Sequence, residues 1–169
     1  MNEDTRSSID AELRRVEEDC KYTGKAHFNA TERLTWQHRI LGSCAVISSA
    51  AAGTAIFADY HVVAGVLSLA ATILTALLTF LKPAEQAAEH KGAGDQYLAL
   101  KGDVRRFRTI RLPTADDVSL TSDLLDVLVS RQKDLNRAAP TFLNSDFQKA
   151  RKGIEEGEAL HEVDDGVTK

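Results

Sequence analysis

The sequence predicts an all-α integral membrane protein, in which a two-helix transmembrane hairpin is continuous with a cytoplasmic helical bundle. Two uncharged runs, Ile40–Ala58 and Val62–Leu81, are separated only by Asp59, Tyr60 and His61. At about 1.5 Å per residue each spans roughly 28–30 Å, the thickness of a bilayer's hydrocarbon core. Charge is confined to the flanks. Residues 1–39 hold seven Lys/Arg and eight Asp/Glu, and residues 82–169 hold 14 and 16, whereas the hairpin has one acid, Asp59, and no base. These flanks pull the mean hydropathy of the 169-residue chain down to -0.24, so only a windowed reading reveals the spans.

Four segments follow: a cytoplasmic N-terminal helix at 1–39, the hairpin at 40–81 (spans 40–58 and 62–81, outer turn 59–61), a cytoplasmic helical region at 82–155, and an acidic, flexible tail at 156–169. Lys25, Arg33 and Arg39 precede the first span, and Lys82 and Lys91 follow the second, while the turn carries no Lys or Arg. The positive-inside rule therefore puts both termini in the cytoplasm. Trp36 and Tyr60 suit the two interfaces. The first ten residues lack an apolar signal core, so no cleaved signal is expected.

Ser7 or Ser8 is the expected cap of a helix running from about 8 to 58. Positions 9, 13, 16, 20, 23, 27, 30, 34, 37 and 41 form a heptad seam with polar faults at Thr23, His27 and Gln37. Cys20 and Cys44 on that helix lie about 36 Å apart, too far for a disulfide.

In the first span, Ala45, Ser49 and Gly53 repeat every four residues, a spacing that lets helices approach closely in lipid. In the second span, Ser68, Thr72, Thr75 and Thr79 share one face. Two readings stay open for these hydroxyls. They bond back to their own carbonyls or pack on the small-residue face, or they line a water-filled pore in an oligomer. Asp59 reads as a turn residue or helix cap, or as the acidic outer mouth of such a pore.

Pro83 suits the first turn of a third helix over 84–111, with Tyr97, Leu100, Val104 and Phe107 on its buried face. Its Gly92, Gly94 and Gly102 imply a close approach of the first helix. Thr114 is the expected cap of a helix over about 117–138, which uses Leu124, Leu125, Leu128 and Leu135. A last helix starts at Asn144 or Ser145, with Phe147, Ala150 and Ile154 on one side.

No Walker loop, GxGxxG, HExxH, CxxC or GxSxG motif occurs, so no enzyme and no cofactor is expected. A net charge of -4 argues against specific nucleic-acid binding. Lys101, Arg105, Arg106, Arg108 and Arg111 form a basic cluster, either an exposed face paired with acids or a contact for an anion or a partner. Counted from the span ends, His27 and His90 lie roughly 20 Å and 14 Å from the membrane, at different levels, and no metal site is expected.

The order of the parts resembles the SLATT family. The residues that carry the resemblance are Trp36-Gln37-His38-Arg39-Ile40-Leu41-Gly42 entering a weakly apolar span, then a three-residue turn, a second span and Ala88-Glu89-His90-Lys91-Gly92-Ala93-Gly94-Asp95-Gln96-Tyr97. Leu128-Val129-Ser130-Arg131, Leu135 and Ala139-Pro140 follow, so the resemblance covers about 10–155. It implies a non-enzymatic, homo-oligomeric pore-forming effector of a bacterial conflict or antiphage system, acting on the inner membrane. The partner implied is a nucleotide-second-messenger synthase, a SLOG-type sensor or a reverse transcriptase. The rival functional readings are a non-conducting membrane anchor or scaffold, and a soluble bundle with its apolar runs buried in a large assembly.

Overall fold

The computed structural model describes residues 2–158. Among them every regular element is helical. These are α1 (Glu3–Phe57), α2 (His61–Leu81), α3 (Pro83–Arg106), a π-helical turn (Phe107–Arg111), a 3-10 turn (Leu112–Thr114), α4 (Val118–Ala138) and α5 (Asn144–Glu155). The chain divides into two compact units. Among the described residues, one combines those up to Ala30 with those from Glu89 onward, and the other is Thr31–Ala88. The acidic tail from 159 onward, expected to be flexible, lies outside the described residues.

In the second unit, α1 and α2 each contain a stretch long and apolar enough to cross a membrane. Only 6% of each apolar window is buried within the chain, so neither helix is the core of a soluble monomer. Val46, Phe57, Val62 and Phe80 are among the exposed side chains. Covering that surface takes lipid or other chains.

The turn joining α1 to α2 is shorter than any flexible loop. Tyr60 N donates to Ala55 O at 2.9 Å, and Asp59 takes φ 58, the left-handed conformation that closes a helix C-terminus. Asp59 is therefore not the cap of α2. Tyr60 holds that position without a side-chain bond. At the other end of α2, Lys82 is also left-handed, and Pro83 then starts α3, where its missing N–H costs nothing.

In the first unit, Ile9, Leu13, Val16 and Cys20 of α1 meet Tyr97, Leu100 and Val104 of α3, with Phe107 and Leu112 completing the core. Leu124, Leu125, Leu128 and Leu135 of α4 pack against it as expected. On α5, Ala150 and Ile154 are buried and Phe147 half-buried. The seam of α1 also buries His27, Ala30 and Leu34, but Gln37 is exposed, and the seam resumes at Leu41, Ala45, Ser48 and Ala52. Cys20 and Cys44 are both free thiols.

Several local expectations are corrected. Asn2 Oδ1 accepts from Thr5 N at 2.8 Å and starts α1 earlier than Ser7 or Ser8, while Ser8 Oγ donates back to Asp4 O. Instead of one helix to Arg111, α3 widens into a π turn at Phe107. Pro113 supplies no N–H there, and Leu112 N bonds Phe107 O instead. The wider turn lets Phe107 and Leu112 both reach the core. The cap of α4 is Asp117, whose Oδ1 accepts from Ser119 N and Leu120 N, whereas Thr114 Oγ1 donates back to Arg111 O.

Of the α3 glycines only Gly94 is required by a close approach. A Cβ there would lie 3.1 Å from the Phe28 ring, and Gly24 on α1 likewise faces Tyr97 Cβ at 3.3 Å. Gly92 and Gly102 have nothing within 4 Å. Gly92→Ala should therefore raise stability by about 0.5–1 kcal/mol through helix propensity. Gly94→Ala should be clearly less stable than Gly92→Ala, because Phe28 must move. Thermal melts of the two variants in one detergent check this, and equal melting temperatures would contradict it.

Candidate functional site

The two small-side-chain faces read from the sequence line one groove in the second unit. Ala45, Ser49 and Gly53 of α1 face Ser68, Thr72, Thr75 and Thr79 of α2 across a volume of about 1030 Å³. Ile56 and Phe80 also line it. No charged side chain does.

Of the small residues in the two spans it is alanines that are buried, one from the four-residue repeat and two outside it. Ala45, Ala52 and Ala64 are buried. Ser49 is exposed, and a Cβ on Gly53 would meet nothing within 4 Å. Within this chain, then, Ala45 packs as expected, but Ser49 and Gly53 do not hold α2. They leave room in the groove instead.

The hydroxyls adopt the back-bonded geometry. Thr72 Oγ1 donates to Ser68 O at 2.8 Å, Thr75 Oγ1 to Ala71 O at 2.9 Å, and Thr79 Oγ1 to Thr75 O at 3.0 Å. Each proton is thus satisfied without water, as a helix in lipid requires. Each oxygen keeps acceptor capacity. Such a wall can solvate a cation or a water molecule without the cost of a buried charge.

Asp59 sits at the hairpin tip, almost fully exposed, with His61 Nε2 3.8 Å from its carboxylate.

The basic cluster is not one site. Arg108 turns to α1, with Glu17 at 3.1 Å and Asp10 at 3.8 Å. Arg106 pairs with Asp103, which also accepts from Arg131 at 2.6 Å. The hydrogen bond from Arg131, foremost, holds the Asp103 carboxyl below its ordinary range. Lys101 lines a separate small cavity with Cys20 and Lys25. Arg105 and Arg111 are exposed. The acids of α1 draw Arg108 away and Lys101 lies at another cavity, while Arg106 and Arg111 line one groove.

A buried histidine pair is the feature that residue spacing misplaced. His27 Nδ1 and His90 Nδ1 are 2.9 Å apart in the first unit, at one level. The reason lies in the origin of the count. Residues equidistant from the turn of an antiparallel pair face each other, and His27 lies 32 residues before Asp59 and His90 31 after it. The ends of the two apolar runs are not equidistant from that turn, so counting from them shifted the register.

His27 is 1% exposed, stacks on Tyr97 at 5.5 Å, and meets Phe142 edge-on at 5.0 Å. One imidazole donates an Nδ1 proton and the other accepts it, so the accepting ring is neutral. Burial, and after it the neighbouring His90, push the His27 imidazole down to about 4. Burial likewise pushes the Cys20 thiol up to about 12, which leaves it an unreactive core group. Among the described residues, no three His, Cys, Asp or Glu side chains converge on one point.

Compared with protein-family models, curated proteins and solved structures, the chain matches none.

Proposed function

We propose that this chain is a pore-forming effector of a bacterial conflict or antiphage system. It is proposed to sit in the inner membrane as a two-span hairpin with both termini in the cytoplasm. Copies associate, because one hairpin cannot enclose a lumen. Ser68, Thr72, Thr75 and Thr79 face the lumen, and Asp59 stands at its outer mouth. A nucleotide signal, or a sensor or synthase partner of the kind the SLATT resemblance implies, triggers opening, and the loss of the membrane barrier stops growth.

The observation that carries this reading is the groove. A hairpin needed only for attachment gains most from bulky aliphatic side chains. Here a face of alanine, serine, threonine and glycine leaves about 1030 Å³ open between the two apolar helices. Acceptor oxygens without bases, together with the acid at the tip, favour cations over anions.

A non-conducting anchor or scaffold is the second reading. The specific observation for it is that Thr72, Thr75 and Thr79 already bond their own backbone, which is all that lipid or a packed helix demands. Ion flux separates the two. Purified intact protein in liposomes, with and without a candidate nucleotide signal, should release trapped K⁺ faster than protein-free vesicles. Leakage equal to the empty vesicles in both conditions would sink the pore.

A further inference from the structure

Helix α4 carries more apolar surface than its own chain covers. Leu125, Leu128 and Leu135 point to the core of the first unit. A second row, Leu120, Leu124 and Val127, follows at i, i+4 and i+7, about 90° around the helix, with Leu124 half-buried at the edge of the core and the other two exposed. Leu120 is 60% and Val127 63% exposed. Ile110 of the π turn is 64% exposed beside them and helps line a groove of about 480 Å³ with Leu124 and Val127. Contiguous apolar surface of this kind marks an interaction site.

The flanks of the row have opposite charge. On the side of α3 and the π turn, Arg111 lines the groove together with Arg106 and the Asp103 that Arg106 pairs with, a flank of net positive charge. On the other side, by helix rotation, stand Asp123 and Asp126, both exposed. Among the described residues, Arg111, Asp123 and Asp126 form no ion pair.

We infer that this face joins two copies of the chain, related by a two-fold axis parallel to α4. That operation lays the Leu120–Leu124–Val127 row on its counterpart and sets each basic flank against the acidic flank of the other copy. An axis perpendicular to α4 would oppose like charges and is disfavoured. The pairing does not depend on conduction, since a pore and a scaffold could both use it.

Cysteine cross-linking in membranes tests it, using the full chain with Cys44→Ser. Val127→Cys should oxidise to a covalent dimer, whereas Lys133→Cys, on the far side of α4, should remain monomeric. Adding Asp123→Arg and Asp126→Arg should lower the Val127 dimer yield roughly tenfold, because like charges then meet across the interface. Further addition of Arg106→Asp and Arg111→Asp should restore it. A Val127→Cys yield no higher than that of Lys133→Cys overturns the inference, as does a yield indifferent to charge reversal. Normal cross-linking in protein that passes no ions contradicts the pore and leaves this pairing standing.

Discussion

Replacing Thr72 and Thr75 together with leucine should abolish ion flux and toxicity while membrane insertion is retained. Both side chains line the groove between α1 and α2. Leucine removes two acceptor oxygens and adds bulk at the same level, turning a wettable wall into an apolar constriction that excludes water. A dewetting barrier of ~3 kcal/mol corresponds to a loss of flux of roughly a hundredfold. Insertion should not suffer, because the change makes α2 more apolar. Thr72→Ser with Thr75→Ser keeps the oxygens and should keep conduction. The measurements are liposome K⁺ release and growth after expression, with carbonate-resistant membrane retention as the control for insertion. If the leucine variant leaks and kills like the parent, the hydroxyl face is not the wall.

The second large effect concerns acid. His27 is buried neutral, with its folded-state pKa near 4 against an ordinary value of 6.5. Well above pH 6.5 His27 is neutral in both folded and unfolded chains, and its contribution to stability is fully present. Between pH 6.5 and about 4 the unfolded chain takes up a proton that the folded chain refuses. Stability therefore falls by up to ~1.4 kcal/mol per pH unit, roughly 3 kcal/mol across the window. Below pH 4 the folded form protonates too, and this loss stops growing. Asp103, held below its ordinary range, contributes in the same direction at still lower pH.

Comparison with a variant isolates the histidines. His27→Phe with His90→Leu keeps an aromatic ring against Tyr97 and Phe142 and removes both imidazoles. Thermal melts in detergent between pH 7.5 and 4 should show a steep decline for the parent and a shallower one for the variant. Parallel declines would mean that the pair does not carry the acid sensitivity.

What the sequence made legible was whatever depends on neighbours along the chain. The two uncharged runs placed the helix ends at the hairpin to within a residue or so, since α1 stops at Phe57 and α2 spans His61–Leu81. The core positions of α1 and α3 followed from a repeat of three and four, because burial on a helix is periodic. Both faces of the groove could be read because each lies on one helix. What the sequence did not show depends on residues far apart in the chain. Arg108 left the basic cluster because Glu17 and Asp10 sit opposite it on α1. The π turn arises because Phe107 and Leu112 must both reach a core that a continuous α-helix would miss. The caps are a local exception: Asn2 and Asp117, rather than Ser7 or Ser8 and Thr114, accept from the open N–H groups. The histidine pair was hidden by a register that only the turn defines.

The central claim is that Ser68, Thr72, Thr75 and Thr79 face water inside a membrane. Cysteine accessibility tests it most directly, with Thr72→Cys, Thr75→Cys, Val66→Cys and Leu77→Cys made one at a time in a Cys44→Ser background. Val66 and Leu77 lie on the opposite side of α2 from the hydroxyl row. A small, charged, water-soluble thiol reagent applied to intact membranes should modify Thr72→Cys and Thr75→Cys and block flux, and should leave Val66→Cys and Leu77→Cys untouched. Modification of neither hydroxyl-face position, or of all four alike, would contradict a water-filled lumen along this face.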